Sequence, residues 1–96
     1  MGLVGFMGRI VVSFKIFPST VEVDFEKLKK TIREKLSKEA EVYRFEEEPI
    51  AFGLKALITH LIIPEELEGQ MDKVEKLLKE IEDISEIQTL MVRRVS

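Results

Sequence analysis

The chain has 96 residues, enough for one domain around a single hydrophobic core. Apolar residues make up 45% of it and charged residues 34%, a globular composition, and the net charge of −3 argues against a general nucleic-acid binder. Cysteine is absent, which excludes a disulfide framework, a thiolate nucleophile, an iron–sulfur cluster and a cysteine–zinc site.

The opening MGLVGFMG is apolar but short and lacks the basic start of a signal peptide. Phe6 stands where a myristoylation motif requires Ser or Thr. No run approaches the roughly 18 apolar residues of a membrane-spanning helix. A cytoplasmic protein with no membrane contact is therefore expected. Asparagine is missing, glutamine occurs only at Gln70 and Gln88, and Glu and Lys abound, a bias common in proteins from hot environments.

From Arg9 to Phe17 the chain alternates, with Ile10, Val12, Phe14 and Ile16 on one face and Ser13 and Lys15 on the other. Period two with β-branched residues predicts a strand, ended by Pro18-Ser19-Thr20. The period then changes. Phe25, Leu28, Ile32 and Leu36 share one helical face, while Glu26, Lys27, Lys30, Arg33 and Glu34 face water. Asp24 is placed to cap this helix, its carboxylate accepting the free amides of the first turn.

Glu41 to Glu47 reads as a second strand, with Val42, Tyr43 and Phe45 supplying β propensity. Leu54 to Ile63 is a third and almost wholly apolar, so it is expected inside the sheet and closed by Pro64. Met71, Val74, Leu77, Leu78 and Ile81 mark the buried face of a second helix, and Glu86 to Val95 reads as a last strand. The order β-α-β-β-α-β predicts a single α+β domain over residues 1–96. It is the ferredoxin-like sandwich, a four-stranded antiparallel sheet with two helices on one face.

This scaffold serves many functions, so function has to be read from sites. Within Glu46-Glu47-Glu48, alternation lets at most Glu46 and Glu48 share a cation, and a solvated edge is the simpler reading. His60 is the sole histidine, in an apolar strand, with no Ser or Cys expected beside it and no second histidine for zinc. The five glycines form no phosphate loop. Phe52-Gly53 faintly echoes an RNA-recognition motif, but Leu54 stands where a second stacking aromatic belongs.

Phe52 itself allows two readings. The ring either folds under the hairpin and plugs the end of the core, or stands exposed at the tip as a protein–protein anchor. Gly53 would supply a positive φ in either case, and Lys55 could complement an acidic partner. Arg93 and Arg94 near the C terminus point oppositely if they lie on a strand, and they read either as a solvated edge or as a contact.

Four stretches together carry a resemblance: MGRIVVSFKIFP at the start, VDFEKLKK opening the first helix, PIAFGLKAL at the turn, and the Ile-x-x-x-x-Val-Arg-Arg ending. From Met7 to Val95 the chain resembles the elongation factor 1-beta family of guanine nucleotide exchange domains, its archaeal members in particular. Met1 to Phe6 fall outside the pattern, which makes Met7 the expected ancestral start. The resemblance implies a factor that restores the GTP form of elongation factor 1-alpha during translation. Such a factor acts by protein–protein binding without covalent chemistry and needs no cofactor, metal or nucleic acid of its own.

The resemblance also implies site residues. Phe52 would contact the G protein, and Arg94 would reach its magnesium site, with Gly53, Lys55 and Arg93 in the same contact set. Arg94 replaces a lysine of the eukaryotic relatives, and Ser96 extends one residue further, so either Arg93 or Arg94 is open for that role. A ligand-sensing regulatory module and an RRM-like RNA-binding domain are the alternative uses of this fold.

Overall fold

The computed structural model describes residues 8–64 and 69–95. The expected extension at Met1–Phe6, the start at Met7 and the final Ser96 lie outside them. The order is β1 (Arg9–Pro18), α1 (Phe25–Leu36), β2 (Glu41–Pro49), β3 (Lys55–Pro64), α2 (Gln70–Lys79) and β4 (Ile84–Val95). The strands form one antiparallel sheet in the order β2-β3-β1-β4. This is the ferredoxin-like arrangement, with β3 inside the sheet as its continuous apolar run implied.

Alternation divides the sheet into two faces. Val12, Phe14 and Ile16 of β1 oppose Leu61, Thr59 and Leu57 of β3, all fully buried, and residues directly opposite share a face. Leu28, Ile32 and Leu36 of α1 and Val74 and Leu78 of α2 join them in one core, so both helices cover this face. The helical periodicity placed these residues correctly. Asp24 caps α1 as expected, its Oδ1 accepting from the amides of Glu26 at 3.0 Å and Lys27 at 3.4 Å. Ile81, read as helical, lies just beyond α2 and is buried in the turn to β4.

Three irregularities interrupt the alternation, and the first, where Phe17 faces Glu86 and Pro18 faces Ile84, leaves Ser85 as an extra residue at the start of β4. Between β2 and β3, Val42 faces Leu61 and Arg44 faces His60, which leaves Tyr43 as an extra residue. Between β1 and β4, Met91 faces Ser13 and Thr89 faces Phe14, which leaves Leu90 as the extra one. Each bulge inserts one residue into one strand and so reverses the inside–outside parity beyond it. The bulge at Leu90 decides how the C-terminal arginines are presented.

Candidate functional site

Phe52 and Gly53 occupy the tip of the β2–β3 hairpin. The amide of Leu54 donates to the carbonyl of Ala51 at 2.8 Å, and the amide of Ile50 donates to the carbonyl of Leu54 at 2.9 Å. The two central residues both have positive φ, 54° at Phe52 and 79° at Gly53. That pair of angles is the signature of a type I′ turn, whose twist matches that of the flanking strands.

Glycine fits its position. Phenylalanine does not, because a bulky side chain in the left-handed region meets its own backbone, and Asn or Gly is the ordinary occupant. The ring gains nothing in return from the fold. Phe52 is 97% exposed, so it is no plug for the core. The side chain is held outward at a backbone cost of about 1–3 kcal/mol, with no burial within the fold to offset it. Of the two readings open to the sequence, exposure removes the first.

Around the tip, the acidic run is committed to ion pairs. Glu47 reaches Lys29 of α1 and Lys55 of β3, each at 3.4 Å, and so ties the base of the hairpin to the first helix. The hydrogen bond that the Lys29 ammonium donates to Glu26, together with the charges of Glu26 and Glu47, raises the pKa of Lys29 above its ordinary value. Lys55 therefore already has an acidic neighbour within the chain. Glu48 pairs with Lys15 at 3.4 Å, and Glu46 with Arg44. Glu46 and Glu48 do share the open face, opposite Ile58 and Ala56, yet each carboxylate is matched to its own cation.

His60 corrects one expectation. A serine does lie beside it: Ser13 Oγ is 2.7 Å from His60 Nδ1 across the β1–β3 ladder. Glu46 approaches His60 Nε2 at 3.6 Å from the other side. The order Ser–His–Glu has the appearance of a nucleophilic relay, but Ser13 is only 3% exposed and cannot meet a substrate. Sequence reasoning missed the pair because its members are 47 positions apart and only the register joins them.

Arg93 and Arg94 lie at the far end of the molecule, both exposed. Arg93 faces Val11 on the open face of the sheet, and Arg94 faces Ile10 on the helix-bearing face. The expected opposition of the two side chains is present. Their distance from the tip is the new element. Ile10 pairs with Ile63 at one end of β3, whereas Lys55 and the turn lie at the other. The stretch of β3 between them spans about 26 Å at the ordinary strand rise. Phe52, Gly53 and Lys55 therefore lie together at one end of the sheet, and Arg93 and Arg94 at the other.

The RNA-recognition reading finds little support in this geometry. Phe52 stands at a turn rather than on the sheet face where bases would stack, and Leu54 is half-buried. Among the described residues no helix is long and apolar enough to cross a membrane.

The βαββαβ sandwich thus carries an exposed aromatic turn at one end and an exposed arginine pair at the other. Residues 11–95 match the family model described as the EF-1 guanine nucleotide exchange domain. Three archaeal proteins called elongation factor 1-beta illustrate the similarity. That of Hyperthermus butylicus is 40% identical, covering 94% of this chain and 98% of its own. The Caldivirga maquilingensis protein is 42% identical over 94% and 99% of the two chains, and the Saccharolobus solfataricus protein 38% over 93% and 98%. The chain belongs to the family of EF-1 guanine nucleotide exchange domains, and with that membership comes an exchange role in translation elongation.

Proposed function

We propose that this chain releases GDP from elongation factor 1-alpha by holding it at two separated points, Phe52 at one end of the sheet and Arg94 at the other. The exposure of Phe52 in an unfavourable backbone conformation carries this reading. A fold gains nothing from such a residue, whereas a partner pocket would gain the burial of an entire aromatic ring.

The chemistry required is binding alone. A G protein holds GDP through magnesium and phosphate contacts. A factor that prefers the nucleotide-free state must weaken nucleotide binding by the same ratio, because coupling between two ligands is reciprocal. Arg94 supplies a cation that competes electrostatically with the partner's magnesium, while Phe52 keeps the complex together as the nucleotide leaves. The division of labour follows from the spacing. The anchor sets affinity, and the distant cation sets how far the partner's site is opened.

Mixing elongation factor 1-alpha loaded with fluorescent GDP with excess unlabelled nucleotide, with and without this protein, tests the proposal. Release accelerated in a saturable, concentration-dependent way is expected. Release at the unassisted rate would refute it.

A further inference from the structure

Facing the Phe52 turn, the loop between β1 and α1 presents Val21, which is 63% exposed. Val21 and Gly53 line one shallow groove, with Pro18, Thr20, Val23 and Phe25 on the loop side and Glu47 and Lys55 on the hairpin side. The loop is held in place. The amide of Glu22 donates to Thr20 Oγ1 at 3.2 Å, and the amide of Ser19 donates to the carbonyl of Asp83 at 2.8 Å. Val21 is thus presented on a tied turn.

One exposed valine is ordinary. A valine across a groove from an almost fully exposed phenylalanine, with Ile50 also 40% exposed beside the tip, is an apolar surface in parts. Glu47 and Lys55 neutralise one another at 3.4 Å, so the groove calls for no net charge in what fills it.

We infer that Val21 is a second contact residue, and that the groove between it and the Phe52 turn receives an uncharged side chain of elongation factor 1-alpha next to the site that takes the ring. This rests on the anchor reading of Phe52, with which the groove is continuous. A contact on two separate loops fixes the orientation of the partner, which one aromatic ring cannot do. That orientation matters because the arginine end must arrive at its own target on the far side.

The test compares Val21→Asp, Val21→Ser and Phe52→Ala for affinity toward nucleotide-free elongation factor 1-alpha, with the melting temperature of each variant. Val21→Asp should weaken binding about tenfold or more and Val21→Ser about threefold, the range of an interface residue beside a hot spot. Melting temperatures should not change. Unaltered affinity in Val21→Asp, with Phe52→Ala clearly weakened, would overturn the inference and leave the anchor standing. Unaltered affinity in all three would overturn the anchor as well. Lower melting temperatures that account for the lost binding would make Val21 a structural residue and also overturn the inference.

Discussion

Arg94 faces Ile10 across the β1–β4 ladder, on the side of the sheet that carries the helices, while its neighbour Arg93 faces Val11 on the open side. The bulge at Leu90 sets this arrangement. Ile87 and Thr89 pair with Ile16 and Phe14 on the helix-bearing side, and unbroken alternation would continue with Met91 and Arg93. The extra residue shifts the continuation to Val92 and Arg94.

The two arginines should therefore differ in function. Arg94→Ala is expected to slow GDP release at saturating factor several-fold while leaving affinity within about threefold, on the order of half a kcal/mol in binding. Arg94→Lys should be milder, since an ammonium still supplies a point charge. Arg93→Ala should alter release less. Stopped-flow release at varied magnesium separates the three variants, and damage confined to Arg93→Ala would reverse the assignment.

Phe52 should limit the stability of its own hairpin. Phe52→Asn places a residue that tolerates positive φ at the same position and is expected to raise the unfolding free energy by about 1 kcal/mol. Gly53→Ala should lower it by about the same amount, because a Cβ is disfavoured at φ 79° even with open space around it. Denaturant unfolding of both variants measures the pair. A less stable Phe52→Asn protein would show that the ring contributes to the fold after all.

Within the core, Leu78→Ala should cost about 2–5 kcal/mol, since Leu78 is fully buried between α2 and the sheet. Thr59→Val should have the opposite sign. Thr59 Oγ1 is buried without a hydrogen-bond partner among the described residues, and a methyl group of similar shape removes an unsatisfied hydroxyl worth about 1–3 kcal/mol. Thermal melts of the two variants give both signs directly.

Ser13 and His60 should behave as a structural pair. Ser13→Ala leaves His60 Nδ1 without its partner at 2.7 Å and is expected to lower stability by about 1 kcal/mol. GDP release at saturating factor should be unchanged. Lost release with unchanged stability would make the pair functional.

The sequence made the fold legible through periodicity. Leu28, Ile32 and Leu36 declared a helix face by their spacing, and Val12, Phe14 and Ile16 a strand face, because burial imposes those periods directly. What stayed hidden depends on register. Two of the three extra residues, Tyr43 and Leu90, do not differ in type from an ordinary strand residue, so the parity beyond each was unreadable. The Ser13–His60 contact was hidden for the same reason. At the turn, Gly53 announced its positive φ by composition, whereas Phe52 sits where its side-chain type gives no warning. The sequence pointed to Phe52, but its full exposure and its distance from Arg94 emerged only from the folded chain.

The most direct measurement is the rate of fluorescent-GDP release from elongation factor 1-alpha as a function of factor concentration, for the unaltered protein, Phe52→Ala and Arg94→Ala. Two separated contacts with separate tasks give two different changes. Phe52→Ala should raise the half-maximal concentration about thirtyfold or more, the loss of roughly 2 kcal/mol typical of an aromatic hot spot, with the plateau rate kept. Arg94→Ala should lower the plateau and leave the half-maximal concentration nearly unchanged. If Phe52→Ala saturates at the same concentration as the unaltered protein, Phe52 is not the anchor and the account is wrong.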